Sequence, residues 1–339
     1  MRHPIIMVGI QRSGSNLLRL MLNQLSCIAA PHPPHIMERI SPLLPTYGNL
    51  ENSDTFALLV DDVCRLIELN PVPWEGVTLD RSQVQKRCRE NSLVAVFVAV
   101  YDILAETWGR KTWCCKSLAN IYYLKEINSY LDNAKYIWLY RDGRDVACSF
   151  SQAVVGEKHF YHLAHEWKKA QCLALKMRNQ LSRNRFFSLS YESLISDPES
   201  TLQSLCKFLQ VDYTPKMLDF YESKEAVMTA SSSSLWSNVK APIKQDNTRK
   251  FLHYSYPEEV RIFELIAGDI LSILDYDRVY TKEGETPIFS SAEIANFERI
   301  NQERKKQISQ NMDLEDREKR HKQSFLLENI KLRNLKNYE

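Results

Sequence analysis

Residues 4–9, Pro-Ile-Ile-Met-Val-Gly, are an unbroken apolar run that ends on a glycine, and a second glycine, Gly14, follows after four intervening residues. A run of this kind, bounded by glycine, is the pattern of a strand buried on both faces of a parallel sheet. From Ser15 to Leu25, leucine or methionine recurs at 17, 18, 21, 22 and 25, which is the stripe of an amphipathic helix. Strand, glycine turn and helix in that order commit the chain to a crossover architecture. Three further runs read as strands: Thr112–Cys115, Lys135–Tyr140 and Arg185–Leu189. Helical stretches separate them, notably Leu93–Trp108, Ile121–Leu131 and His162–Leu181. The alternation predicts an α/β fold, a doubly wound parallel sheet with flanking helices. Ligands of such sheets sit beyond the carboxyl ends of the strands.

Two segments stand outside this alternation. Residues 36–110 hold no convincing strand and read as a helical excursion covering the site. From Ile288 to Glu339 there is neither glycine nor proline, charge is dense, and the apolar residues Ile294, Phe297, Phe325, Leu326 and Ile330 are too irregular for a heptad. The expected organisation is a main domain over residues 1–285 and a charged helical tail over 286–339. The tail is expected to be solvated and to add nothing to the core; a partner-binding helix is the alternative.

Composition narrows the function classes. With 44% hydrophobic and 25% charged residues the chain is an ordinary globular protein, not disordered or fibrous. Its net charge of +2 gives no global field to hold nucleic acid, so any anion site must be local. Eight cysteines without a C-x-x-C pair read as reduced thiols, with Cys114 and Cys115 on alternate faces of one strand. The chain enters its first strand without a signal-like opening. Its longest apolar stretch, Leu93–Leu104, falls short of the roughly 20 residues that span a bilayer. The expectation is a cytoplasmic protein with no membrane span.

Three cationic elements converge on the same edge of the sheet. The turn Gly9-Ile-Gln-Arg-Ser-Gly14-Ser-Asn meets the G-x-x-x-x-G half of a P-loop, with Ser15 in place of the lysine and Arg12 inside the loop as a replacement charge. Its amides and the following helix N-terminus can cradle a phosphate. Tyr140-Arg-Asp-Gly-Arg-Asp-Val-Ala-Cys-Ser149 follows a strand, so Arg141 emerges at a carboxyl end and can grip a second phosphate bidentately. Ser149, eight residues on, lies about 12 Å along an ideal helix. A tight turn at Gly143 would have to bring it to Arg141; a surface ion-pair knot of Arg141, Asp142, Arg144 and Asp145 is the competing reading. Lys116 comes directly after the strand Thr112–Cys115.

Together with the later Ser190-Tyr-Glu-Ser-Leu-Ile-Ser-Asp-Pro198, these motifs resemble the sulfotransferases that use 3′-phosphoadenosine 5′-phosphosulfate (PAPS), and most of all the bacterial and protein-tyrosine branches, over roughly residues 4–280. The resemblance implies a P-loop-like fold and makes residues 1–285 the sulfotransferase domain, with 36–110 over the acceptor site. It implies that Arg12, Ser13, Gly14, Ser15 and Asn16 hold the 5′-phosphosulfate, that Arg141 and Ser149 hold the 3′-phosphate, and that Tyr191 sits by the adenosine. Leu235-Trp-Ser-Asn-Val-Lys-Ala-Pro242 is similar to a segment that closes over the nucleotide, so Trp236, Ser237 and Lys240 are further candidates.

The sequence departs from the pattern twice. Ser15-Asn16 replaces the usual Thr-Thr or Thr-Ser, and both side chains can still donate hydrogen bonds. Lys116, the implied catalytic lysine, is followed by Ser117 and Leu118 rather than by a histidine base two positions on. In the protein-tyrosine branch the base is a glutamate in the loop after the first helix, so the resemblance implies a base in the matching stretch Pro31-His-Pro-Pro-His-Ile-Met-Glu38, with His35 first, His32 second and Glu38 third or orienting His35. Lys116 and Arg12 would stabilise charge on the leaving oxygen and the sulfonyl oxygens, and no metal is called for. The acceptor is expected to be a hydroxylated small molecule, lipid, glycan or peptide, and a homodimer is left open. A degenerate P-loop nucleotide kinase and a non-catalytic nucleotide-binding protein are the rival readings.

Overall fold

The computed structural model describes residues 3–310 and 314–333. In chain order the elements are β1 (Ile5–Gly9), α1 (Ser15–Asn23), β2 (Ile28–Ala29), α2 (Ile36–Ile40), α3 (Ser53–Glu68), α4 (Arg81–Arg87), α5 (Leu93–Thr107), β3 (Thr112–Cys115), α6 (Leu124–Tyr130), β4 (Lys135–Tyr140), α7 (Gly143–Ser151), α8 (Phe160–Gln180), β5 (Phe186–Ser190), α9 (Tyr191–Ser196), α10 (Pro198–Leu209), α11 (Lys224–Ser232), α12 (Pro257–Ile273), α13 (Ser291–Gln310) and α14 (Leu314–Leu332), with short 3-10 turns between some of them.

The five strands form one sheet in the order β2-β3-β1-β4-β5. Every pairing is parallel, with Ile5 opposite both Cys114 and Lys135, and Tyr140 opposite Ser190. Both faces are covered, as the apolar runs require. Ile6, Val8 and Trp138 join the core on one side, while Ile5, Met7, Ile137 and Leu139 join that on the other. Cys114 and Cys115 likewise part to opposite faces, and all eight cysteines are unpaired. The central triplet β3-β1-β4 points its three carboxyl ends at one crevice. The two-residue edge strand β2 carries no periodicity and has no counterpart in the sequence reading.

The excursion holds helices and no strand, and three of its helices start on side-chain caps: Asn52 accepts from the backbone of Asp54 and Thr55, Asp80 from Gln83, and Ser92 from Ala95. α5 is apolar almost all round and is buried along nearly its whole length. Among the described residues no helix is long and apolar enough to cross a membrane.

The tail overturns the expectation of a solvated appendage. α13 and α14 do form, but Leu326 and Ile330, 2% and 0% exposed, complete the core beside the excursion, and Phe297, 9% exposed, stacks on the His159 ring at 4.7 Å. Polar contacts secure both helices. Asn301 accepts from the backbone N–H groups of Lys158 and His159 at 2.7 and 3.1 Å, Arg304 clasps Glu259 at 2.6 and 3.0 Å, and Arg333 reaches the buried Asp62 at 2.8 Å. Leu326 and Ile330, four residues apart, share one helical face. That narrow stripe is enough because the rest of the adhesion is polar, and polar adhesion leaves no hydrophobic period in the sequence. Phe325, 56% exposed, does face solvent.

Candidate active site

A single crevice of about 1270 Å³ lies over the carboxyl ends of the strands and takes in the glycine loop, Lys116, Arg141, Ser149 and the histidine loop. Its floor is the turn from β1 to α1. Gly9 has φ +143, and a Cβ there would lie 2.3 Å from the Leu139 carbonyl oxygen; Gly14 has φ +87, and a Cβ there would strike the Tyr191 ring at 2.3 Å. Both glycines are thus dictated by backbone conformation and close approach. Arg12 takes φ 69, an uncommon conformation for a side-chain-bearing residue.

That strained turn places the Arg12 side chain where Nε donates to Ser149 Oγ at 2.9 Å. Arg141 donates to the Arg12 carbonyl at 3.2 Å and to the Asn247 carbonyl at 2.8 Å, pairs with Asp145 at 3.3 Å, and lies 4.4 Å above the Tyr191 ring. Arg141 and Ser149 therefore meet through Arg12. Gly143 does not make the tight turn invoked for this; it opens α7, and its missing Cβ lets Phe263 and Trp167 pack where a methyl group would meet them at 2.4 and 2.6 Å. The ion pairs of the competing reading also exist, Arg141 with Asp145 among them, but they are buried rather than on the surface. Arg144 joins Asp142 at 2.8 Å and the buried Glu264, which leaves Arg141 on the cleft.

Lys116 leaves the end of β3 with 7% of its surface exposed. Burial first, and then the positive charge of Arg19, push its ammonium down to about 7, while Glu38 acts the other way. Among the described residues it has no hydrogen bond or ion pair.

The proline-stiffened loop brings its histidines to the same crevice. The His32 carbonyl is fixed by Asn70 Nδ2 at 3.1 Å and Trp74 Nε1 at 2.9 Å, and its ring lies 4.7 Å from that of Trp236. Neither ring nitrogen of His32 has a partner, and burial, with Lys116 and Arg19 nearby, holds the ring neutral well below the ordinary histidine range. His35, in a left-handed conformation of φ 60, precedes α2, and its Nδ1 stands 3.1 Å from Glu38 Oε2. Burial lowers the His35 pKa, and the Glu38 carboxylate works against that.

The remaining candidates divide. Ser15, Asn16, Tyr191 and Trp236 line the crevice, whereas Ser13 is wholly buried beneath the loop with an unpartnered hydroxyl. Ser237 and Lys240 are exposed and do not line it. The cations that line it from this part of the chain are Lys244 and Lys250, and Asn247 adds a hydrogen bond from its amide to the Tyr191 hydroxyl. These three come from an irregular stretch with no pattern to read. Glu166 and Lys169, on the long helix α8, also line the crevice and were not singled out by sequence. Among the described residues no group of three or more His, Cys, Asp or Glu is arranged to hold a metal ion.

A parallel sheet, a glycine loop running into a helix N-terminus and cations at three adjacent strand ends define an α/β protein of the P-loop type. The sequence pattern of the sulfotransferase family matches residues 4–215, and the chain belongs to that family. Among solved structures it is similar to the sulfotransferase domain of the Synechococcus PCC 7002 olefin synthase, with 19% identity and a TM-score of 0.56 over 82% of this chain and 98% of that one. It is also similar to the sulfotransferase domain from the curacin biosynthetic pathway, with 23% identity and a TM-score of 0.55 over 82% and 99%. Both likenesses are likenesses of fold. A curated relative, an uncharacterized protein of Aquifex aeolicus, is 23% identical over 80% of this chain, and the chain spans about a third, 32%, of that protein's length.

Proposed function

We propose that the protein transfers a sulfuryl group from 3′-phosphoadenosine 5′-phosphosulfate to a hydroxyl or amine of its acceptor. The observation that carries this reading is Lys116, a buried amine with no hydrogen bond or ion pair among the described residues, which lines the same crevice as the glycine loop and the histidine loop. A surface lysine or a structural ion pair would look different. The residues present fit such a donor: Arg141 lines the crevice with its Nε buried and unpartnered, as a group awaiting an anionic oxygen would be. Arg12 to Asn16 would hold the 5′-phosphosulfate, Arg141 with Ser149 the 3′-phosphate, and Tyr191 the adenosine side.

When bound, the donor supplies an activated sulfur and a phosphate leaving group for an in-line displacement. The protein supplies the electrostatics. Lys116 and Arg12 stand ready for charge that grows on the leaving oxygen, and the loop amides for charge spread over the sulfonyl oxygens. His35, neutral through burial, takes the proton of the attacking hydroxyl, and Glu38 steadies the cation that results. His32, whose ring nitrogens are both unpartnered, is the second base candidate.

The test is turnover of the labelled sulfated donor with hydroxylated metabolites, lipids, glycans and tyrosine peptides. Label should pass to an acceptor with one adenosine 3′,5′-bisphosphate formed per transfer. Magnesium-dependent transfer from ATP instead would identify a kinase.

A further inference from the structure

Arg19 stands on α1, one turn beyond the second residue of that helix, Asn16, and is 0% exposed. Its Nη1 donates to the Ala30 carbonyl at 3.0 Å and to Glu225 Oε1 at 2.7 Å, and its Nη2 to Thr229 Oγ1 at 2.8 Å. These three bonds, to the exit of β2 and to α11, fix the plane of the guanidinium. The remaining edge, Nε, faces Asn16 Oδ1 at 3.4 Å. Arg19 itself does not line the crevice, whereas Asn16 does, together with Gly14, Ser15 and Lys116.

The pairing settles a question that asparagine raises and threonine does not. A threonine hydroxyl at this place turns on its bond and donates or accepts as its neighbour requires. An asparagine amide has a donor end and an acceptor end, and its surroundings decide which end faces the ligand. A guanidinium carries donors only, so it takes the amide oxygen; the reversed amide would set N–H groups against a buried cation. With Oδ1 committed to Arg19, Nδ2 has no partner among the described residues and is the end left for a ligand.

Resting on the sulfuryl-transfer reading above, we infer that Arg19 is a positioning residue for the sulfate donor: without touching the nucleotide, it holds Asn16 so that the amide N–H groups, and not the oxygen, meet the anionic oxygens of the 5′-phosphosulfate.

The test is calorimetry on the full chain with two ligands, adenosine 3′,5′-bisphosphate, whose 5′-phosphate stands for that end of the donor, and adenosine 3′-monophosphate, which lacks it. Arg19→Met is combined with Glu225→Gln so that no acid is left unpaired. The Ala30 carbonyl, freed of its donor, then favours the reversed amide, and the bisphosphate should bind about tenfold more weakly, the worth of one hydrogen bond to an anion, with the monophosphate within about twofold of wild type. A purely structural arginine would weaken both ligands alike. When the same two changes are made on an Asn16→Thr background, where the hydroxyl needs no orienting, their effect on the bisphosphate should shrink to less than about threefold. Asn16→Asp needs no buried group removed. It keeps an oxygen for Arg19, so the melting temperature of the ligand-free protein should not fall, but it turns a second, anionic oxygen to the crevice, and the bisphosphate should bind at least about a hundredfold more weakly. Equal losses for the two ligands, a full tenfold loss on the threonine background, or a lowered melting temperature in Asn16→Asp would overturn the inference and leave the sulfuryl-transfer reading standing. A wild type that binds neither nucleotide would remove both.

Discussion

Arg12 Nε donates to Ser149 Oγ at 2.9 Å and so joins the glycine loop after β1 to the second turn of α7 after β4. Two motifs 137 residues apart in sequence become one anion cradle, with Arg141 hydrogen-bonded to the Arg12 carbonyl on its other side.

Because Arg141 and Ser149 are given to a 3′-phosphate, adenosine 3′,5′-bisphosphate should bind more tightly than AMP. A charged bidentate contact is worth about 1.5–3 kcal/mol, or roughly ten- to a hundredfold. Calorimetry should show that gap in the wild type and its collapse in Arg141→Ala. Equal affinities in the wild type would leave the 3′-phosphate site without support.

Lys116 is expected to trade stability for rate. Lys116→Met should lower kcat by about 10²–10³ with little change in nucleotide affinity. The same substitution should raise the melting temperature of the ligand-free protein by at least about 2 °C, since it removes a buried charge that no ion pair among the described residues offsets. The pH dependence has a fixed sign. A lysine held at about 7 in the folded state but near its ordinary value when unfolded binds more protons unfolded. Between pH 7 and about 10.5 this group therefore makes ligand-free stability rise with pH, and Lys116→Met should flatten that rise. A thermal-melt series across that range reads both effects.

His35→Ala should cost about 10²–10³ in kcat and abolish the acidic limb of the pH–rate profile. Burial lowers the His35 pKa, so that limb should lie below about 6.5, the ordinary histidine value. Glu38 raises it, so Glu38→Gln should move the limb to still lower pH with a smaller loss of rate. If the limb survives in His35→Ala and vanishes in His32→Ala, the base is the other histidine.

Truncation before Ser291 should leave an insoluble or readily unfolded protein, because it strips the cover from the excursion and leaves Asp62, 0% exposed, without Arg333. Arg333→Ala alone should destabilise by about 1–3 kcal/mol, the cost of a buried charge that keeps one partner, the Tyr47 hydroxyl, out of two. Chemical denaturation measures this. A truncated chain as stable as the full one would show that the helices pack without energetic consequence.

The sequence by itself determined what repeats locally. The apolar runs of β1 and β4 and the leucine stripe of α1 are legible because burial on two faces or on one helical face writes a period into neighbouring residues. Gly9, Gly14, Lys116 and Arg141 are legible because a strand end fixes where the next residue points. Tertiary structure decided what is assembled from distant segments. Nothing near Arg12 in sequence says that it meets Ser149, that Gly143 exists to admit Trp167 and Phe263, or that Asn247, Lys250, Glu166 and Lys169 join the crevice while Lys240 stays outside it. The tail is the clearest case. Its docking rests on Leu326, Ile330 and a few polar clasps such as Arg333 on Asp62, and a clasp between single residues 271 positions apart leaves no periodic trace. Hydrophobic periodicity reports how much of an element is buried; which surface buries it is a property of the folded chain alone.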